Sequence, residues 1–210
     1  MKTFVLSICA LFLLGGVLFT SLQGRNAASL SASDTQSGEQ FQTDTGTAPG
    51  NPLNQPILNP RIVISKSARR LKLYSGDKLL HAYRVGLGFS PVKDKVKEGD
   101  GATPEGEFYI FTKNPESAYY LSLGISYPNI EDAKRGLRTK LISGEQYQQI
   151  VLAIRNTDMP PQHTPLGGQI YIHGRGSRKD WTWGCVALDD KDMKVLFDAV
   201  QVGTMVIIEH

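Results

Sequence analysis

"TPLGGQIYIHG", residues 164–174, passes from a glycine-rich loop into an apolar, β-branched run and stops on a histidine and a glycine. The central "QIYI" at 169–172 has the composition of a short buried strand, and His173 stands where that strand meets a closely approachable backbone. Comparable runs occur on both sides. "RIVIS" at 61–65 and "RLKLY" at 70–74 are β-branched or alternating. "YSGDKLL" supplies turn residues before "LLHAYRV" at 79–85, and "GEFYIF" at 106–111 and "TMVIIE" at 204–209 continue the series. The pattern predicts a mainly β domain with a few helices, an α+β chain.

Two helices have clear signatures. In "SGEQYQQIVLAIRN", Ser143 precedes Gln146 by three residues, a capping-box spacing, and apolar side chains recur at Tyr147, Ile150, Val151 and Ile154. "DDKDMKVLFDAVQVG" repeats the period at Met193, Leu196, Phe197 and Val200, with Asp189 or Asp190 as N-cap and Gly203 closing. A shorter helix is expected at 130–135, after "YPN". The glycine-rich stretches at 85–91, 98–106 and 164–168 contain no phosphate-loop or dinucleotide fingerprint, so they read as turns and close-approach loops.

Residues 4–22, "FVLSICALFLLGGVLFTSL", carry no charge and follow a single Lys2. A secretory apolar core runs about 7–15 residues and a membrane span about 20. Residues 1–25 are therefore a signal peptide or an N-terminal membrane anchor, and both place the remainder outside the cytoplasm, in the periplasm or cell envelope. Residues 26–60 are rich in Ser, Thr, Ala, Gln, Asn, Gly and Pro. They lack the large apolar side chains needed to offset ordering entropy, so they are expected to form a flexible linker. The domain is then 61–210, long enough for one core.

Formal charge is +3 for the whole chain, and from Arg61 onward 21 Lys and Arg face 17 Asp and Glu. That mild basic bias suits an acidic polymer such as a cell wall. It lacks the basic stripe interleaved with aromatics that a nucleic-acid site presents. Of two cysteines, Cys9 lies in the apolar N-terminal run, leaving Cys185 unpaired in the exported part. An unpaired exported cysteine is an intermolecular bridge, a small buried apolar residue or a thiol kept for chemistry.

Cys185 lies in "DWTWGCVAL", residues 180–188, twelve positions after His173. A cysteine nucleophile acts as thiolate and needs a base, commonly histidine. Among His81, His163, His173 and His210, His173 is the best placed. Gly184 gives the loop freedom to aim consecutive N–H groups, that of Cys185 included, at a developing oxyanion. One cysteine and scattered histidines do not make a four-ligand zinc site, so no metal is expected. The residues alone leave a Cys/His pair and a packed cysteine both standing.

Taken together, "TPEG" at 103–106, "ISYPN" at 125–129, "TPLGGQIYIHG", "TWGC" at 182–185 and "VGTMVII" at 202–208 resemble the YkuD-type L,D-transpeptidases of bacterial cell walls. The resemblance implies an L,D-transpeptidase-like β-sandwich or barrel with the nucleophile loop before the last helix. It also implies acyl transfer on peptidoglycan stem peptides without any cofactor, expelling D-alanine. The acyl group passes to an amine of a second stem, a D-amino acid or a wall-linked protein. Carried over, Cys185 is the nucleophile, His173 its base, Gly174 the carbonyl that orients the imidazole, and Gly184 with Cys185 the oxyanion donors. Arg175 is expected to meet substrate carboxylates, Trp183 and Thr182 to flank the pocket, and Tyr120 and Tyr127 either to line the cleft or to pack in the core. The loop departs from the common pattern. Its gap is short, Trp183 replaces a second histidine, and Ala187 replaces an Arg or Asn. This variant matches the branch with "SYPN" and "GGxIxIHG", which includes hydrolases. An L,D-carboxypeptidase or amidase-type hydrolase using the same site therefore stays open, as does a noncatalytic wall-binding domain.

Overall fold

The computed structural model describes residues 57–210. Eight strands form one curled sheet in the order β3-β2-β1-β8-β4-β5-β6-β7: β1 Pro60–Ser65, β2 Arg70–Ser75, β3 Lys78–Arg84, β4 Gly106–Ser117, β5 Tyr120–Ile125, β6 Tyr171–His173, β7 Val186–Ala187 and β8 Met205–Glu209. Neighbours are antiparallel except β1 with β8 and β6 with β7. Alternation decides which faces turn inward: Ile62 and Ile64 of β1, Leu71 and Leu73 of β2, and Val206 and Ile208 of β8 are buried while their neighbours are more exposed. Burying each of these side chains contributes roughly 1.5–3 kcal/mol relative to leaving it in water.

The twelve residues of β4 are longer than the run expected from sequence. Gly106–Tyr109 pair with β8, whereas 110–117 pair with β5 through two register shifts. Such irregularities bend a strand, and here β4 carries the sheet around its turn. The curl brings the two ends together. Gly86, just beyond β3, exchanges backbone hydrogen bonds with Ala187 of β7 at 2.9 and 2.8 Å, and Phe89 N–H donates to Thr182 O at 3.0 Å. The sheet thus closes barrel-like on itself, and the 180–188 loop lies in the seam.

β5 was not among the expected strands. Residues 121–125 are all buried, so they lack period-two alternation, because helix α3 (Asp190–Ala199) packs against this strand. Helices α1 (Ile130–Arg138) and α2 (Gly144–Arg155) form a separate layer, in which Ala133, Ile150 and Ile142 of the connection between them cluster with Leu166. The Ser143–Gln146 capping box is present at α2, and Asn129 with Asp132 makes another at α1.

The N-cap of α3 falls on Asp189, one of the two aspartates expected there, without the capping bond. Its Oδ1 instead accepts from the N–H and hydroxyl of Ser177 at 3.0 and 3.2 Å, and Asp190 Oδ1 accepts from Arg175 N–H at 2.7 Å. Both carboxylates are spent holding the loop that joins His173 to Cys185. Among the described residues no helix is long and apolar enough to cross a membrane. The segment expected as signal or anchor, and all but the last four residues of the expected linker, lie outside the described residues.

Candidate active site

His173 ends β6, paired with Ser122 of β5 on one side and Ala187 of β7 on the other. Its imidazole is 3% exposed. Nδ1 lies 2.7 Å from the Gly174 carbonyl, which can only accept, so Nδ1 carries the proton and Nε2 keeps its lone pair. The Tyr119 ring lies over the imidazole, centroids 4.8 Å apart at 35°, and Trp181 meets it edge-on at 5.7 Å. Gly174 admits no side chain, since a Cβ there would stand 2.5 Å from Asp190 Oδ1 and 3.0 Å from Tyr119 O.

Cys185 immediately precedes β7 and is half-buried. Its Sγ accepts from Tyr171 N–H at 3.4 Å and donates to Gln169 O at 3.5 Å. His173 and Cys185 line one cleft of about 520 Å³ together with Tyr119, Gln169, Trp181 and Trp183. A larger concavity, about 990 Å³, lies between the start of β1 and the turn before β8, and neither histidine nor cysteine lines it. Among the described residues no group of three His, Cys, Asp or Glu could hold a metal ion.

A family model for the L,D-transpeptidase catalytic domain, YkuD, matches residues 59–208. The chain belongs to this family. No curated protein matches it in sequence. Among solved structures, the L,D-transpeptidase domain is similar to a mutant of the helical cell shape determining protein Pgp2 from Campylobacter jejuni. Identity is 24% and the TM-score 0.50, over 72% of this chain and 47% of that one. An L,D-transpeptidase from Mycobacterium smegmatis matches at 13% identity and TM-score 0.44, over 72% and 59%. The chain thus spans about half the length of these proteins.

The electrostatics of the L,D-transpeptidase site favour a neutral pair. Burial pushes the Cys185 thiol up to about 11, with the Tyr171 N–H and the Lys95 charge pulling more weakly the other way. Burial lowers the His173 pKa, and its bond to Gly174 opposes that shift. A thiol raised that far is overwhelmingly protonated at pH 7, which argues against a preformed thiolate–imidazolium pair. The thiol sulfur lies within donor range of Gln169 O, and no hydrogen bond joins it to the imidazole among the described residues. Alkylation of Cys185 by iodoacetamide is accordingly expected to be slow at pH 7 and to accelerate about tenfold per pH unit up to about 11. A rate already saturated at pH 7, followed by mass spectrometry, contradicts the neutral pair.

Several expected site residues take other positions or roles. Thr182 lines the cleft but is buried, its Oγ1 donating to Cys185 O at 2.7 Å and accepting from Gly184 N–H at 3.2 Å. It staples the loop that carries Cys185. Since that bond consumes the Gly184 N–H, Cys185 N–H is the remaining oxyanion donor of the expected two. Trp183 lines the cleft, 69% exposed with Phe89 edge-on at 4.8 Å, but its indole N–H has no partner among the described residues. Tyr127 is fully buried in the core, its hydroxyl donating to Leu166 O at 2.9 Å. Tyr120, the first residue of β5, is exposed at φ +77 and lies outside the cleft lining, which includes Tyr119 of the preceding turn. The left-handed backbone at Tyr120 bends the chain between them, so the two adjacent tyrosines do not share a face. Arg175 lines a neighbouring cavity, not the cleft. Trp181, unmarked by any sequence signal beyond its place in the loop, proves to be a wall of the site.

The loop is anchored from the far side of the seam. Asp180 accepts from Arg69 Nε at 3.1 Å and Nη2 at 2.9 Å, and from Leu87 N–H at 2.9 Å. Removing this carboxylate strands a half-buried guanidinium and a backbone donor. Asp180→Ala is expected to cost about 2 kcal/mol in urea unfolding. A loss below about 0.5 kcal/mol would mean that the seam does not depend on the pair.

Proposed function

We propose that this chain performs cysteine-dependent acyl transfer on peptidoglycan stem peptides through a Cys185 thioester, in cell-wall cross-linking or remodelling. The observation carrying this reading is that the Cys185 thiol and the His173 imidazole, with Nε2 left free by the Nδ1–Gly174 bond, open into one cleft. Substrate binding would turn the thiol from Gln169 O toward Nε2. The Sγ–H proton passes to His173 as sulfur attacks the scissile carbonyl, and the Cys185 N–H faces the oxyanion. Collapse breaks the C–N bond, and Nε2 returns its proton to the departing amine of D-alanine. An incoming amine then attacks the thioester, giving its proton to Nε2, the C–S bond breaks, and Nε2 returns the proton to sulfur; water in place of the amine makes the domain an L,D-carboxypeptidase. The apolar run at 4–22 would deliver the domain to the periplasmic side, tethered where it stays uncleaved.

The test is to incubate the full chain with disaccharide-tetrapeptide and an acceptor amine, and to resolve products by mass. Cys185-dependent loss of D-alanine is the expected result. A cross-linked or amine-exchanged product identifies the transferase, and tripeptide alone the hydrolase. Identical patterns from wild type and Cys185→Ala defeat the proposal. The reaction needs a neutral imidazole, so activity should rise with pH through the His173 titration and be lost below it. Because burial lowers that pKa, the acid midpoint of kcat/KM is expected below 6.5. A midpoint well above 6.5 excludes His173 as the base.

A further inference from the structure

Beside the reactive cleft lies a second concavity of about 320 Å³, lined by Arg175, Arg178 and Lys179 together with Gly176, Trp181 and Asp189. Trp181 also lines the cleft of Cys185 and His173, so its indole is a wall common to both. Its lining carries three cationic residues and one carboxylate, and that carboxylate already accepts two hydrogen bonds from Ser177. Among the described residues none of the three cations forms a salt bridge.

The loop that presents these charges is held at several points. Arg175 N–H is fixed by Asp190, Gly176 N–H donates to Leu188 O at 2.8 Å, Trp181 Nε1–H donates to Gly176 O at 3.2 Å, and Arg84 Nη2 donates to Arg178 O at 3.1 Å. Arg175 sits at φ +76, between Gly174 and Gly176. A non-glycine residue pays to adopt that conformation, and a third glycine would not. Strain retained beside a reactive cleft points to a use for the side chain that keeps it. Guanidinium groups suit carboxylates by their planar fork of donors. Single exposed charges contribute little, whereas several converging on one concavity define a site.

We propose that this cavity is a carboxylate subsite. Arg175, Arg178 and Lys179 bind a carboxylate of the peptide whose scissile carbonyl lies at Cys185, with the chain passing around the Trp181 indole. This rests on the stem-peptide reading above and adds to it how that peptide is held.

Binding tests it apart from catalysis. Full-length Cys185→Ala protein is titrated at low salt with disaccharide-tetrapeptide and with two carboxamide versions, one amidated at the terminal carboxylate and one at the upstream carboxylates. Adding Arg175→Gln, Arg178→Gln and Lys179→Gln is expected to raise Kd about tenfold. One of the two amides should lose the same factor on the unsubstituted loop and nothing further on the Gln variant, which identifies the carboxylate. Arg175→Lys with Arg178→Lys should bind between parent and Gln variant, since the charge is kept and the planar fork is lost, and 0.5 M salt should shrink the difference between parent and Gln variant. Equal Kd for parent and Gln variant, two amides that bind like the parent peptide, or penalties that simply add would each overturn the subsite. Charge-dependent binding without Cys185-dependent turnover by the wild-type chain would sink the acyl-transfer reading alone. Turnover with charge-independent binding would sink the subsite alone.

Discussion

His173→Asn is expected to lower kcat/KM for the tetrapeptide by about 10²–10⁴, the range a positioned general base contributes. Asparagine is the informative replacement because its side-chain amide can still donate to the Gly174 carbonyl where Nδ1 now lies 2.7 Å away. It has nothing at the Nε2 position. The orienting bond is therefore kept and the base removed, which His173→Ala would not separate, since alanine also empties a buried space against Tyr119 and Trp181. The neutral pair makes the base matter more here than in a site with a preformed thiolate: with the thiol pushed up to about 11, almost no nucleophile exists at neutral pH unless a proton acceptor is at hand. Alkylation by iodoacetamide, which reports the ionised thiol in the free protein, should change far less than turnover. Activity retained within threefold would show that the proton leaves Cys185 by another route.

Those residues were legible in sequence for unequal reasons. His173 and Cys185 stood out because a histidine at a strand end and the single cysteine of the domain invite a chemical reading. The strands of the first half followed from alternation, which survives wherever one face of a strand meets less packed surroundings, as for Ile62 and Ile64 in β1. β5 escaped because α3 covers it and erases the alternation. Hydrogen-bond competition was also invisible. Nothing in "TWGC" announces that Thr182 Oγ1 takes the Gly184 N–H, or that the two aspartates opening α3 reach back to the preceding loop. Trp181 and Tyr119 were missed because their roles depend on which way a bend faces the imidazole, a property of the closed seam and not of spacing.

The seam carries the second large effect. Gly184→Ala is expected to cost about 2–4 kcal/mol of stability and to lower kcat at least about 10²-fold in the fraction that folds. Gly184 adopts φ +129, a conformation costing an alanine roughly 1–3 kcal/mol. An added Cβ would also stand 2.7 Å from the Ala102 carbonyl oxygen and 3.0 Å from Ile170 Cδ1. The first is backbone and cannot swing aside. Nor can the neighbouring layer retreat, because Gly88 packs with its own Cβ position 2.1 Å from Gly101 O and 3.1 Å from Gly184 Cα. Three chain segments meet there with only hydrogen atoms between them, so the added methyl must displace the loop that carries Cys185. A misplacement of about 1 Å costs on the order of 10²-fold in rate. Gly76→Ala supplies the control, since Gly76 has positive φ, +55, with nothing within 4 Å of its Cβ position. That variant should lose about 1 kcal/mol and no activity. If both substitutions destabilise equally and Gly184→Ala retains full kcat, strain alone accounts for the glycine, and close packing of the seam does not set the position of the nucleophile.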